Sequence, residues 1–266
     1  MIDSHCHLSF HSFESDVDAV IKRAQDAGIQ AMINVGTQNS SNKEAIELAE
    51  KYEGIYASVG VHPHHADKLE NDWLEELQKL SQHPKVVSIG ECGMDFYSYK
   101  SNGIVDPVLQ EKVFRKQIEL SITQKLPLQI HNRHAGSEVI RIISDYKNEL
   151  SDMPGVFHCF AGDMAILTSA LDLGFYIGFD GNSTYPGLAP GETVSLSDII
   201  VQTPVERMLV ETDSPYLTPI PLRGTRNEPK NAIIVGEFIA KLKEIPFVQL
   251  EEIVTKNFST LFKVSL

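Results

Sequence analysis

The chain has 266 residues, 42% hydrophobic and 22% charged, the composition of an ordinary globular protein with room for one large α/β domain or two small ones. Lys+Arg 23 against Asp+Glu 36 gives a net charge of −13. That balance excludes tight duplex binding through a broad basic face, but not contact with nucleic acid in a local pocket neutralised by metal.

The hydrophobic period switches again and again between two and about three and a half. A strand is expected at 2–8, a helix at 16–27 stopped by Gly28, a strand at 30–36 and a helix at 42–52. Next come a strand at 55–62, a helix at 72–82, a strand at 86–94 and a helix at 107–124 with proline in its first turn. The series continues with strands at 126–131, 155–160, 175–179 and 207–211, interleaved with helices at 137–149, 164–173 and 195–203. Helices at 231–243 and 248–262 close it. Eight strands alternating with helices and no linker between them predict a single-domain (β/α)₈ TIM barrel over 1–266, with an open doubly wound sheet as the alternative.

Cysteine use points to a compartment. Cys6, Cys92 and Cys159 are too few, and odd in number, for a disulfide framework. No secretory signal and no apolar run of membrane-spanning length is visible, so a cytoplasmic protein with no membrane partner is expected. No protein partner is evident.

In a barrel of this kind the C-terminal strand ends form the active face. Metal-ligand residue types fall there repeatedly: His5 and His7 on the first strand, Glu91 on the fourth, His131 on the fifth, His158 on the sixth and Asp213 after the eighth. With side chains alternating along a strand, His5 and His7 share one face, with Asp3 behind them. One His-x-His is weak by itself, since a strand-end histidine is usually a satisfied rim residue. Six nitrogen and oxygen donors at one end of five strands are better explained as a metal centre. Each cysteine adjoins a proposed ligand, so alternation turns all three thiols towards the helix layer as small buried apolar residues.

With these residues in view, the chain resembles the TatD family of metal-dependent deoxyribonucleases, within the amidohydrolase superfamily. The matching segments are Asp3-x-His5-x-His7-Leu8, Gly60-x-His62-Pro63-His64, Ile89-Gly90-Glu91-x-Gly93-x-Asp95 and His131-x-Arg133. They continue with His158-Cys159-Phe160-x-Gly162, then Glu211-Thr212-Asp213-x-Pro215-Tyr216-Leu217-x-Pro219 and Arg223-Gly224-x-Arg226-Asn227-Glu228-Pro229. The resemblance implies two divalent metal ions, one at His5, His7, Glu91 and Asp213 and the other at Glu91, His131 and His158, with Glu91 bridging. Zinc, manganese and magnesium all suit such ligands. Glu91 and Asp213 would be the catalytic carboxylates.

His62, His64, Arg133 and Arg223 are the candidate substrate contacts. His62 reads as a substrate or outer-shell residue, and His64 equally well as a loop histidine beside a proline-fixed turn. Arg133 either reaches the mouth or is solvated at its rim. Arg223 is suited to grip a phosphate, whereas Arg226 suits a structural pairing with Glu228. The chain departs from the family pattern at His134, where many members carry aspartate. It departs again in a long, turn-rich loop at 180–197 containing Gly181, Pro186, Gly187, Pro190 and Gly191.

The implied reaction is hydrolysis of DNA phosphodiesters, with single strands or strand ends as partner, by water activated between two cations. The same superfamily constellation hydrolyses esters and amides, so an aminoacyl ester or small amide is the alternative substrate. A degenerate barrel kept as a binding scaffold is disfavoured because all six ligand positions are filled.

Overall fold

The computed structural model describes residues 1–100, 103–188, 191 and 193–266, so Pro190 of the long loop lies outside the described residues. Eight strands alternate with helices along the chain. They are β1 (Ile2–Cys6), α1 (Val17–Asp26), β2 (Ala31–Val35), α2 (Asn39–Lys51), β3 (Ile55–Val59), α3 (Trp73–Leu80), β4 (Val86–Asp95) and α4 (Pro107–Gln124). After these come β5 (Leu128–Arg133), α5 (Gly136–Ser144), β6 (Gly155–Phe157), α6 (Met164–Asp172), β7 (Tyr176–Phe179), α7 (Leu196–Gln202) and β8 (Met208–Val210). The helices α8 (Ala232–Leu242) and α9 (Phe247–Phe262) finish the fold.

All strand pairs are parallel and follow chain order from β1 to β8, as a (β/α)₈ barrel requires. The open doubly wound sheet is thereby excluded. Closure comes from beyond the end of β8: the Asp213 N–H donates to the His5 carbonyl (2.9 Å) and the His7 N–H to the Ser214 carbonyl (2.8 Å). Asp3 reinforces the seam by accepting from the Thr212 N–H (2.9 Å) and hydroxyl (2.6 Å). The apolar core is one continuous cluster running through strands and helices, with a small satellite of Val61, Ala66, Val105 and Val113 beneath the loop after β3. Among the described residues no helix is long and apolar enough to cross a membrane.

Several expected strands run past the real ladder. β1 stops at Cys6, β3 at Val59 and β6 at Phe157, each just before or among the candidate site residues. The next apolar side chains, Leu8, Val61 and Phe160, are buried although their backbone has left the sheet. Burial without ladder bonding therefore mimics strand in a hydrophobic pattern. At α2 the helix begins three residues earlier than expected, because Gln38 and Ser41 cap it reciprocally.

Two strands carry an extra residue where the site begins. Across β1 and β2 the pairing steps from Asp3–Met32 to Cys6–Asn34, and across β4 and β5 from Ile89–Leu128 to Cys92–Ile130. A bulge of this kind re-aims the side chains within it, here those of His5 and Glu91. Glycine makes the second one possible: a Cβ on Gly93 would sit 2.0 Å from the His131 carbonyl oxygen, and one on Gly90 2.6 Å from the Gln129 Cβ.

Candidate metal centre

Glu91 stands at the middle of the mouth, 4% exposed. Its Oε1 lies 2.8 Å from His131 Nδ1 and 2.9 Å from His158 Nε2, while Oε2 lies 3.7 Å from His5 Nε2 and 3.6 Å from His7 Nε2. Asp213 enters from the β8 side, its Oδ1 3.4 Å from His7 Nε2 and 3.9 Å from His5 Nε2. The structure thus brings His5, His7, Glu91, His131, His158 and Asp213 into one constellation. Within it, His5–His7–Asp213 and Glu91–His131–His158 are each compact enough to hold a metal ion.

The outer nitrogens of the rings explain what the inner ones can do. His5 Nδ1 faces the Gln129 amide oxygen (2.7 Å), His7 Nδ1 the Val35 carbonyl (2.9 Å) and His131 Nε2 the Asp95 carboxylate (3.1 Å). Gln129 is held in that orientation by donating its NH₂ to the Ser4 carbonyl (3.2 Å). An acceptor outside each ring draws the ring proton outward, leaving the other nitrogen's lone pair aimed at the centre. His5 Nε2 and His7 Nε2 then face each other at 3.3 Å with carboxylate oxygens beside them. Converging lone pairs and carboxylates with no donor among them are satisfied by a cation, and this mixed imidazole–carboxylate set suits a divalent ion.

The charges of the centre are strongly coupled to one another. Burial alone would raise the Glu91 carboxyl, but His62, His158 and His131 around it hold it well below the usual range. Burial would also lower the His7 and His158 rings; Asp213 and Glu91 raise the first, and Glu91 and Glu211 raise the second well above its ordinary value. His5 goes the other way, lowered by burial and by the stacked His158 ring 3.8 Å away.

Sequence reasoning assigned no role to several of the groups that shape this site. Asp95, fully buried, accepts from the Tyr97 N–H (2.8 Å) and the Tyr99 hydroxyl (3.0 Å), and its Oδ2 lies 3.0 Å from His64 Nε2. Glu211 accepts from the Ser4 hydroxyl (3.2 Å) and the Cys159 N–H, and approaches His158 Nδ1 at 3.7 Å. Both lie inside the quoted motifs, and each is a carboxylate at the end of an apolar strand run; that was the available signal. Asp180 is also buried, and burial together with Glu211 and Asp213 pushes its carboxyl up to about 8.

The cysteines divide. Cys6 and Cys92 are fully buried, their thiols against the carbonyls of Ile33 (3.3 Å) and Gln129 (3.6 Å). Cys159 does not turn towards the helix layer as expected: its thiol groups with Asp180 and Asp213, and Asn182 donates to it at 3.4 Å. The reason is local. β6 has ended at Phe157, and Cys159 takes φ 43° in the turn that follows, which breaks strand alternation. Cys92→Ala should therefore keep its full metal content and most of its turnover, losing about 1–2 kcal/mol of stability for the vacated volume. Metal analysis and thermal melts check this.

Of the candidate substrate contacts, His62 lies closest in, its Nε2 3.5 Å from Glu91 Oε1 and its ring edge-on to His131. His64 donates its N–H to His62 Nδ1 (3.1 Å) and reaches Asp95 rather than the centre. Arg133 and Arg223 are exposed at the mouth, the latter 4.0 Å over the Tyr185 ring. Tyr185 itself donates to the Thr218 carbonyl (2.8 Å), tying the loop after β7 to the loop after β8. Arg226 pairs with Asp16 (2.8 Å) and Glu228 (3.3 Å) and holds the shape of its loop.

A barrel mouth that gathers histidines and carboxylates in this way is that of a metal-dependent hydrolase. The chain belongs to the family described as TatD related DNase, which matches residues 2–263. It is 35% identical over 265 residues, covering 100% of both chains, to the uncharacterized metal-dependent hydrolase YabD of Bacillus subtilis (strain 168). It is 32% identical over 271 residues, again covering 100% of both, to the 3'-5' ssDNA/RNA exonuclease TatD of Edwardsiella piscicida. Among solved structures it resembles YJJV, a TatD homolog from Escherichia coli K12, with TM-score 0.89 and 28% identity over 100% of this chain and 98% of the other.

Proposed function

We propose that residues 1–266 act as one unit, a deoxyribonuclease of exonuclease type that cleaves phosphodiester bonds at single-stranded ends of DNA. It would hold two divalent ions (zinc, manganese or magnesium) on His5, His7, Glu91, His131, His158 and Asp213. The observation carrying the reading is the Glu91 carboxylate, one oxygen within 2.9 Å of two imidazoles and the other within 3.7 Å of two more. Such a carboxylate suits a shared ligand between two ions. The nuclease assignment draws support from the family's description and from the Edwardsiella relative's name. Free thiols at Cys6, Cys92 and Cys159 fit a reducing cytoplasm.

When bound, the ions supply Lewis acidity, polarising a phosphoryl oxygen and making water more acidic near neutral pH. Asp213 orients the attacking water and accepts its proton on a carboxylate oxygen. Gln129, the Val35 carbonyl and Asp95 keep His5, His7 and His131 in the tautomers that present a lone pair inward. Arg133 and Arg223 take phosphate oxygens, supplying cationic contacts at the mouth of a chain whose net charge is −13. His62 and His64 border the path of the scissile bond.

That same acidic surface favours a second reading, hydrolysis of a compact ester or amide such as an aminoacyl ester. One assay separates the two. Purified protein with magnesium, manganese or zinc added should release mononucleotides progressively from a terminus-labelled single strand, weakening only gently as salt rises. Intact DNA alongside cleavage of an ester or amide with the same metal dependence overturns the nuclease reading.

A further inference from the structure

Aromatic rings flank the metal donors at opposite ends of one diameter of the barrel mouth. β1 and β8 are neighbours across the seam, and the segments after them supply Phe10 and Tyr216. The Phe10 ring stacks on His7 (4.4 Å, 11°) and meets Tyr216 edge-on at 6.2 Å. Half-way round the barrel, the segment after β4 and the end of β5 supply Tyr97, Tyr99 and Arg133. The Arg133 guanidinium lies 4.0 Å over the Tyr97 ring and 5.4 Å over Tyr99, and donates to the Tyr99 hydroxyl at 2.9 Å. Tyr99 donates in turn to Asp95, which holds His131, so hydrogen bonds tie this wall to the donor set.

Neither wall is buried. Tyr97 is 37% exposed and Tyr216 54%, so both side chains stay open to water at the mouth. Arg133 forms no ion pair with a described carboxylate, although the chain carries 36 acidic residues against 23 basic ones. Arg226, by contrast, is held by Asp16 and Glu228. What remains at the mouth is two part-exposed tyrosine rings, one of them with a guanidinium flattened against it.

We propose that Tyr97 with Arg133, and Phe10 with Tyr216 opposite, form a nucleobase clamp. Unpaired bases near a strand end stack on the two tyrosine faces while Arg133 takes a phosphate oxygen. This inference rests on the nuclease reading and gives its single-strand preference a physical basis: a base held within a duplex stack offers no free face to either wall.

The test uses Asp213→Asn protein with manganese and an internally fluorescein-labelled single-stranded deoxyoligonucleotide, read by anisotropy. Replacing the terminal nucleotides at both ends with abasic tetrahydrofuran units should weaken binding about tenfold. Tyr97→Ala and Tyr216→Ala should each weaken binding of the natural strand by a similar factor. In the double variant the natural and abasic strands should bind alike, and Tyr97→Phe with Tyr216→Phe should restore the difference. Equal affinity for the two strands in the unmodified clamp, or variants that weaken both strands equally, overturns the clamp. Cleavage of the natural strand by the native enzyme, run in parallel, tells two failures apart. Cutting without base dependence removes the clamp and leaves the nuclease reading, whereas no cutting removes both.

Discussion

Glu91→Ala is expected to purify as a folded barrel almost devoid of bound divalent metal, with a larger loss than His131→Ala suffers. The asymmetry follows from geometry. His131 offers one nitrogen to the centre and spends the other on Asp95, whereas the Glu91 oxygens approach five imidazoles, those of His5, His7, His62, His131 and His158. Removing His131 leaves the His5–His7–Asp213 triad complete with Glu91 beside it; removing Glu91 takes a member of the other triad and also the carboxylate oxygen that faces His5 and His7. Loss of an outer-shell partner of a metal ligand typically costs about 10–100-fold in affinity or activity, so a shared ligand should exceed that and turnover should fall by at least about 10³-fold. Metal analysis alongside circular dichroism decides it, and full occupancy in the Glu91 variant would sink the bridging role.

Asp213→Asn should leave the fold and strand binding in place while hydrolysis falls by about 10²–10⁴-fold, the usual contribution of a positioned acid–base group. The amide keeps the shape of the side chain but is a poorer ligand and cannot accept a proton from water. Asp213 has φ 52°, a conformation uncommon outside glycine, and its N–H is pinned to the His5 carbonyl, so the isosteric change should not release the loop. Single-turnover cleavage of a labelled strand by protein purified identically to the native enzyme is the measurement. Undiminished cleavage would assign the proton to another group or expose a contaminating nuclease.

Much of this architecture can be read from residue order. Pro107 in the first turn, after the capping Asp106, marks the start of α4, and alternation within short apolar runs marks the strands. The six donors are visible because strand ends of a barrel share one face. What residue order does not carry is register. The bulges at His5 and Glu91 exist only against β2 and β5, and Gln129 orients His5 from 124 positions away. Asp95 and Glu211 look like polar strand ends until the imidazoles they face are brought in from other strands. Cys159 is misread for the same reason: alternation is a property of the ladder, and the ladder has already stopped.

The closing seam has a consequence for when the enzyme can act. His5 and His7 leave the ribosome early, but the groups that complete their triad and clasp their backbone, Asp213 and Ser214, are made some two hundred residues later. A nascent chain halted before β8 has neither the last carboxylate nor the hydrogen bonds that hold β1 in register. Catalytic competence therefore arrives late in translation, as the N-terminal strand is locked by the eighth. A hydrolase assembled in this order stays latent while its own message is still being read.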